Sequence, residues 1–380
     1  MPWNARDTMS LRQEFVILAR QHSVPFSELC RRFGICRQTG YKWLDRHAQH
    51  GDAALADRSR RPLTSPSITP AAIEREVLRL REAHPAWGGR KISQRLKDLG
   101  FPQVPAPSTV TSILHRHGLI SPAASDAATP WQRFEHAHPN ALWQMDFKGD
   151  FALLEPGRCY PLTVLDDHSR YSIVLQACRR TDTSTVQACL REAFSRYGLP
   201  ARMNTDNGSP WGSPGQPGQL TELAVWLIRL GIRLSYSRAY HPQTNGKDER
   251  FHRSLKAEVL NGRSFVTHDD VQRELERWRR IYNHERPHEA LGMKTPATRY
   301  QPSPRAMPTI LAEPEYAADD VVLRVKSNGA IDFQGRKLKV SNALRGLPVA
   351  ARPSPTQDGI VEFWFAHHRI LTLDLRDEKP

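Results

Sequence analysis

Trp143-Gln-Met-Asp146-Phe-Lys-Gly149 and Met203-Asn-Thr-Asp206-Asn-Gly208 are the two stretches on which the reading of this chain turns. Each is a short apolar-rich run that ends in, or leads directly into, an aspartate, the pattern of a β-strand with a carboxylate at its end. A strand end fixes a side chain in place and leaves it open to a substrate. If the two strands are neighbours in a sheet, their carboxylates come within a few ångströms, where two negative charges repel unless a cation lies between them. A third acid, Glu249, stands at a predicted helix start in His241-Pro-Gln-Thr-Asn-Gly-Lys-Asp-Glu249-Arg-Phe-His252. Lys247, Arg250 and Lys256 beside it are suited to a phosphate backbone. Hard divalent ions take such oxygen ligands, and Mg²⁺ completes its octahedron with water and phosphate oxygens; Mn²⁺ is the other candidate.

Around these stretches the pattern predicts strands at 142–147, 160–165, 171–176, 202–205 and 233–236. Helices are predicted at 182–197, 220–230, 246–259 and 269–283. That order describes a mixed sheet between helices, an α/β core over 139–304. Upstream, residues 1–55 read as a helix-turn-helix unit, with a middle helix capped by Ser27 and ended by Gly34. Cys30 is small enough to let two helices cross closely. The next helix offers Arg37, Gln38, Thr39, Lys42 and Arg46 to phosphates or base edges. A linker at 56–69 leads to a second helical DNA-binding unit at 70–120, and another at 121–138 leads to the core. Residues 305–380 alternate in the manner of a small antiparallel β-barrel, with hairpin turns expected at Asn328-Gly329 and Asp358-Gly359.

Bulk properties agree with a nucleic-acid partner. The 380 residues carry 54 Lys and Arg against 40 Asp and Glu, a formal +14, which favours a polyanion. Apolar residues at 39% and charged residues at 25% argue for packed domains. Five scattered Cys residues suggest neither a disulfide framework nor a zinc site. The start lacks a signal-peptide core and no apolar run is long enough to span a bilayer, so a cytoplasmic, nucleoid-associated protein with no membrane partner is expected.

In these blocks, together with Leu165-Asp-Asp-His-Ser-Arg-Tyr171, Tyr282-Asn-His-Glu-Arg-Pro-His288 and Leu291-Gly-Met-Lys-Thr-Pro296, the chain resembles the DDE transposases of IS3- and IS481-type insertion sequences. The resemblance implies a ribonuclease-H-like, retroviral-integrase-like catalytic core in which Asp146, Asp206 and Glu249 hold two divalent ions. It implies cleavage at the ends of an element and joining of each 3′-OH to target DNA. The expected partners are both terminal inverted repeats, target DNA and at least one further copy of the chain. Two features depart from the family pattern. Forty-two residues separate Asp206 from Glu249, longer than the family interval, with the excess assigned to the turn-rich Ser209–Gly218 stretch. Asp248 also places a second acid beside Glu249; adjacent helix positions diverge by about 100°, so one of the two is expected to face the metals, and the motif favours Glu249. Asp166 and Asp167 compete as ligands but suit capping of a bend. His168, His241, His252, His284 and His288 lack zinc spacing. Trp143 and Trp226 read as core. A metal-dependent endonuclease without joining activity, and a non-enzymatic helix-turn-helix regulator, are the alternative functions.

Overall fold

The computed structural model describes residues 7–57, 69–120, 135–212, 220–236 and 246–376, and its contacts divide the chain into two compact units, Met1–Ile68 and Thr69–Pro380. In the first unit α1 (Thr8–Arg20), α2 (Phe26–Arg32) and α3 (Arg37–His50) close around Phe15, Val16, Leu29, Cys30, Trp43 and Leu55. Asp7 caps α1 through Met9 N–H. Ser27 is not a cap: α2 enters from Pro25, whose fixed φ sets the turn, and Ser27 falls inside the helix. The close crossing expected at Cys30 has Gly40 as its other half, since a Cβ there would stand 2.9 Å from Cys30 Sγ and from the Phe15 and Phe26 rings.

The second unit begins with α4 (Ala71–Ala83), α5 (Gly89–Asp98) and α6 (Pro107–Arg116), packed around Val77, Leu80, Trp87, Ile92, Leu96, Val110 and Leu114. Gly89 allows α5 to touch α6, because a Cβ there would collide with Pro107 O and Thr111 Oγ1.

The following sheet contains β1 (Trp143–Phe147), β2 (Phe151–Ala152), β3 (Arg158–Asp166), β4 (Ser172–Cys178), β5 (Arg202–Thr205) and β6 (Arg233–Tyr236). β3 pairs antiparallel with β1, β2 and β4, while β1, β5 and β6 run parallel. α7 (Thr183–Tyr197) and α8 (Glu222–Arg229) cover one face, where Val186, Leu190, Phe194, Leu223 and Trp226 meet Trp143, Met145, Leu162 and Val164. α9 (Gly246–Leu255), prolonged by a π-helical turn at Lys256–Leu260, and α10 (His268–His284) cover the other through Phe251, Leu255, Leu275 and Trp278. This is the mixed sheet between helices that the pattern predicts, with Trp143 and Trp226 in its core. α10 begins with a capping box between Thr267 and Asp270. α4–α6 belong to the same unit: Ile281 of α10 packs on their core, and Arg95 is ion-paired with Glu285 just beyond α10.

The expected C-terminal barrel is not there. β7 (Val321–Arg324), β10 (Pro348–Pro353), β11 (Ile360–Phe365) and β12 (His368–Asp374) form an open sheet in the order β12-β11-β10-β7. Among the described residues β8 (Ala330–Phe333) and β9 (Arg336–Lys339) pair only with each other. No ladder joins β7 to β12 among the described residues, and β7 leaves Val321 and Val322 half exposed. The sheet has no need to close on itself, because its apolar face is covered from outside. Ala224, Val225 and Ile228 of α8, together with Leu220, share a core with Ile331, Phe333, Val349, Phe363 and Phe365. Asp358-Gly359 does lie in the β10–β11 connection. Asn328-Gly329 turns the chain from β7 to β8 without pairing the two strands.

Candidate active site

Alternation along β1 decides where its acid looks. Trp143 and Met145 enter the cluster beneath α7 and α8, so Gln144 and Asp146 face the side that α9 crosses. β5 lies beside β1 with Trp143 level with Met203 and Gln144 with Asn204. The same offset carried forward past the last paired residues sets Asp146 level with Asp206 on the neighbouring strand. Asp206 is exposed beyond the end of β5, and its Oδ1 accepts the Gly208 N–H at 2.8 Å. Glu249 is exposed in the first turn of α9.

Asp206 and Glu249 both act electrostatically on Asp146. The Asp146 carboxyl is pushed up from its ordinary 3.8 to about 6, by burial first and by the charge of Asp206 next, with Glu249 adding to it. The Phe147 N–H and Lys148 oppose this rise. Among the described residues, no three His, Cys, Asp or Glu side chains are drawn together as a ligand set. The trio is thus gathered in charge without being closed into a cage.

Two contacts hold the start of α9 against the sheet. Lys247 is ion-paired with buried Asp167, which also accepts from the Gln144 amide at 2.9 Å and from the His136 backbone N–H at 2.9 Å. The lysine and these hydrogen bonds overcome burial and hold the Asp167 carboxyl below its ordinary range. One turn on, His252 Nε2 lies 2.8 Å from Thr163 Oγ1, which donates to the Asp146 carbonyl at 2.9 Å. Burial, with help from Lys148, lowers His252 to about 4, so the imidazole is neutral at physiological pH. Asp166 performs the capping work expected of it, accepting from Ser169 N–H and Oγ and from Asn140 N–H.

Lys247 is therefore half-buried and committed to Asp167, whereas Arg250 and Lys256 are exposed. Asp248 faces inward, with both carboxylate oxygens buried and without a hydrogen-bond partner among the described residues. Burial, reinforced by Asp146 and Asp167, holds its carboxyl well above the ordinary range. The sequence offered no signal for the Thr163–His252 contact, since a mid-strand threonine is ordinary. The motif residues His241–Asn245 and most of the proposed insertion, 213–218, lie outside the described residues.

In the first unit, Arg37, Gln38 and Lys42 are exposed along α3, while Thr39 is half-buried with its Oγ1 3.2 Å from Cys36 Sγ. Arg46 lies 5.0 Å from the centre of the Trp43 ring, which Arg12 and Lys42 also approach. Tyr41, which the sequence reading passed over, is 60% exposed on the same helix, an aromatic face open to a partner.

Residues 136–242 and 230–296 match the family described as Integrase core domain. Residues 11–62 match a Helix-turn-helix domain, 39–114 a Homeodomain-like domain, and 320–380 the IS481 family transposase, C-terminal domain. The insertion element IS476 39.2 kDa protein of Xanthomonas euvesicatoria is 28% identical over 241 residues, 61% of this chain and 66% of that protein. The IS407 31.7 kDa protein of Burkholderia multivorans is 30% identical over 159 residues, 42% of this chain and 54% of that one. The chain thus spans about two thirds or less of these relatives. A simian T-cell lymphotropic virus intasome chain, solved in complex with a PP2A regulatory subunit, aligns at TM-score 0.39 and 19% identity, covering 76% of this chain and 91% of that one. The HTLV-2 integrase catalytic core, solved with magnesium, aligns at TM-score 0.32 and 17% identity, covering 43% and 99%. No helix among the described residues is long and apolar enough to cross a membrane.

Proposed function

Since the chain carries a DDE-type integrase core related to those of IS3- and IS481-type transposases and of retroviral integrases, we propose that it cuts the ends of an insertion element and joins them to target DNA. The observation that carries this reading is the carboxyl of Asp146, raised first by burial and then by the charge of Asp206, with Glu249 adding to it. A buried acid burdened by two others in this way suits a divalent cation in charge and in donor chemistry. Asp146, Asp206 and Glu249 are the proposed ligands, for two Mg²⁺ or Mn²⁺ ions. Exposed Glu249 is preferred to sealed Asp248 because a hydrated ion and a phosphate need an open approach. When bound, such ions activate the attacking oxygen and stabilise charge on the leaving one.

The reaction needs no covalent enzyme intermediate. Water attacks phosphorus at the element end in line, the P–O3′ bond breaks, and a free 3′-OH remains. That hydroxyl then attacks a target phosphodiester, and the target 3′-oxygen leaves as the new bond forms. This chain contributes the fixed relation of the acids, through the β1–β5 register and the two α9 contacts. Arg250 and Lys256 hold backbone phosphate, and Arg37, Gln38, Thr39, Lys42 and Arg46 meet the terminal repeats. Two ends and one target imply at least a dimer on DNA.

Pre-cut duplex ends bearing a 3′-OH, incubated with the full chain, Mg²⁺ and a target plasmid, are expected to give joined strands. Asp146→Asn, Asp206→Asn and Glu249→Gln each reduce cleavage and joining by roughly a thousandfold while duplex binding persists. Cleavage without joining would make the protein a nuclease. Loss of activity in Asp248→Asn, with full activity in Glu249→Gln, would move the third ligand to Asp248.

A further inference from the structure

Asp167 is a junction. It follows β3 directly, is buried, and turns its two oxygens to different parts of the chain. Oδ1 takes the Gln144 amide of β1 and the Lys247 ammonium of α9. Oδ2 takes two donors from one residue, His136, whose backbone N–H lies at 2.9 Å and whose Nδ1 lies at 3.0 Å. A carboxylate turns easily about its last bond, so the two His136 donors decide which way Oδ1 looks. His136 is itself held from behind. Its carbonyl accepts from His168 Nδ1 at 2.8 Å, while Glu135 accepts from Arg299 at 2.7 Å and lies 3.5 Å from buried Arg170. Arg299 also donates to His168 Nε2 at 3.0 Å, which leaves the proton of that ring on Nδ1, where the His136 carbonyl needs it.

We propose that Glu135 and His136, on the stretch of chain that leads from α6 to β1, are positioning residues for the catalytic acids: by orienting Asp167 they seat α9 and set Glu249 against Asp146. Lys247 stands two residues before Glu249, and Gln144 two before Asp146. One carboxylate therefore ties the strand that bears the first acid to the helix that bears the third. Displacing residues 135–136 frees Asp167 to turn and loosens α9 while the sheet stays as it is. The seating of the catalytic helix thus depends on the connection to α4–α6. That this spacing serves the cutting and joining of DNA rests on the function proposed above.

Hydrogen exchange on the full chain, free of metal and DNA, reads the seating directly. With Glu135→Ala and His136→Ala combined, the amides of residues 250–255 are expected to exchange about tenfold faster while those of α10 and β3 keep their wild-type rates. His136→Asn, which leaves a donor close to where Nδ1 stood, stays within about twofold of the wild type. In a Lys247→Met background the double substitution adds nothing, because its effect travels through that ion pair. With pre-cut ends, Mg²⁺ and a target plasmid, the double variant is expected to join with kcat about tenfold lower and an unchanged KM for the duplex. Wild-type exchange in α9 overturns the proposal. So does an acceleration shared equally by α10 and β3, which would make the segment a general support, and so does a full additional effect in the Lys247→Met background. A raised KM at unchanged kcat would move both residues to DNA binding and overturn their positioning role. The expected exchange in a wild type and variants that join no DNA would support the tie to α9 and refute the function proposed above.

Discussion

Asp146 retains its proton up to about pH 6 because burial and Asp206 both disfavour its charge. An unfolded chain releases that proton near the ordinary 3.8. Between these values the native state binds more protons than the unfolded one, so this group's contribution to stability is full below about pH 4 and is lost as pH rises through 6. Asp248, also raised, acts in the same direction. Without metal the wild type is therefore expected to lose a few degrees of Tm between pH 5 and pH 7.5, and Asp146→Asn to lose less, as calorimetry at fixed ionic strength would read. A wild type and an Asn variant with parallel pH profiles would contradict the burden placed on Asp146. At this scale the sequence showed a great deal, since an acid at a strand end is visible in the pattern. It could not show Asp248 turning inward or Asp167 holding Lys247, because both depend on how α9 seats on the sheet, and adjacent positions on a helix look alike until one face is buried.

At the level of elements, α9 matters most, and its seating can be tested. Lys247→Met strips buried Asp167 of its charge partner and is expected to cost about 3 kcal/mol in urea unfolding, with a loss of joining activity as Glu249 is freed. Asp167→Asn combined with Lys247→Met should recover part of that stability, since no buried charge is left alone. A double variant no more stable than the single Lys247→Met would show that the pair does not hold the helix. Elements with strong periodicity were legible from sequence: β5 and β6 span 202–205 and 233–236 as expected. β10 carries almost no strand signature, since Pro348, Ala350, Ala351 and Pro353 give little alternation, although it is central in its sheet between β7 and β11. The barrel expectation failed for a related reason. Short alternating strands predict a sheet with one apolar face, but not whether another strand or a helix covers it.

On the scale of the whole molecule, the full chain assembled with two terminal duplexes, Mg²⁺ replaced by Ca²⁺, is expected to contain at least two protein copies by native mass measurement. A concerted two-end insertion product from a complex with one copy would refute this. The choice of protein for that experiment is constrained by α8, whose residues Leu223–Ile228 are all buried. Leu223, Trp226 and Leu227 serve the catalytic core, and Ala224, Val225 and Ile228 serve the C-terminal sheet. Such a helix is a party wall. Cutting the chain after residue 304 to isolate the core would strip one side of that wall and present its apolar stripe to solvent, where two cut molecules would stick face to face. The dimer then seen would be a product of the scissors.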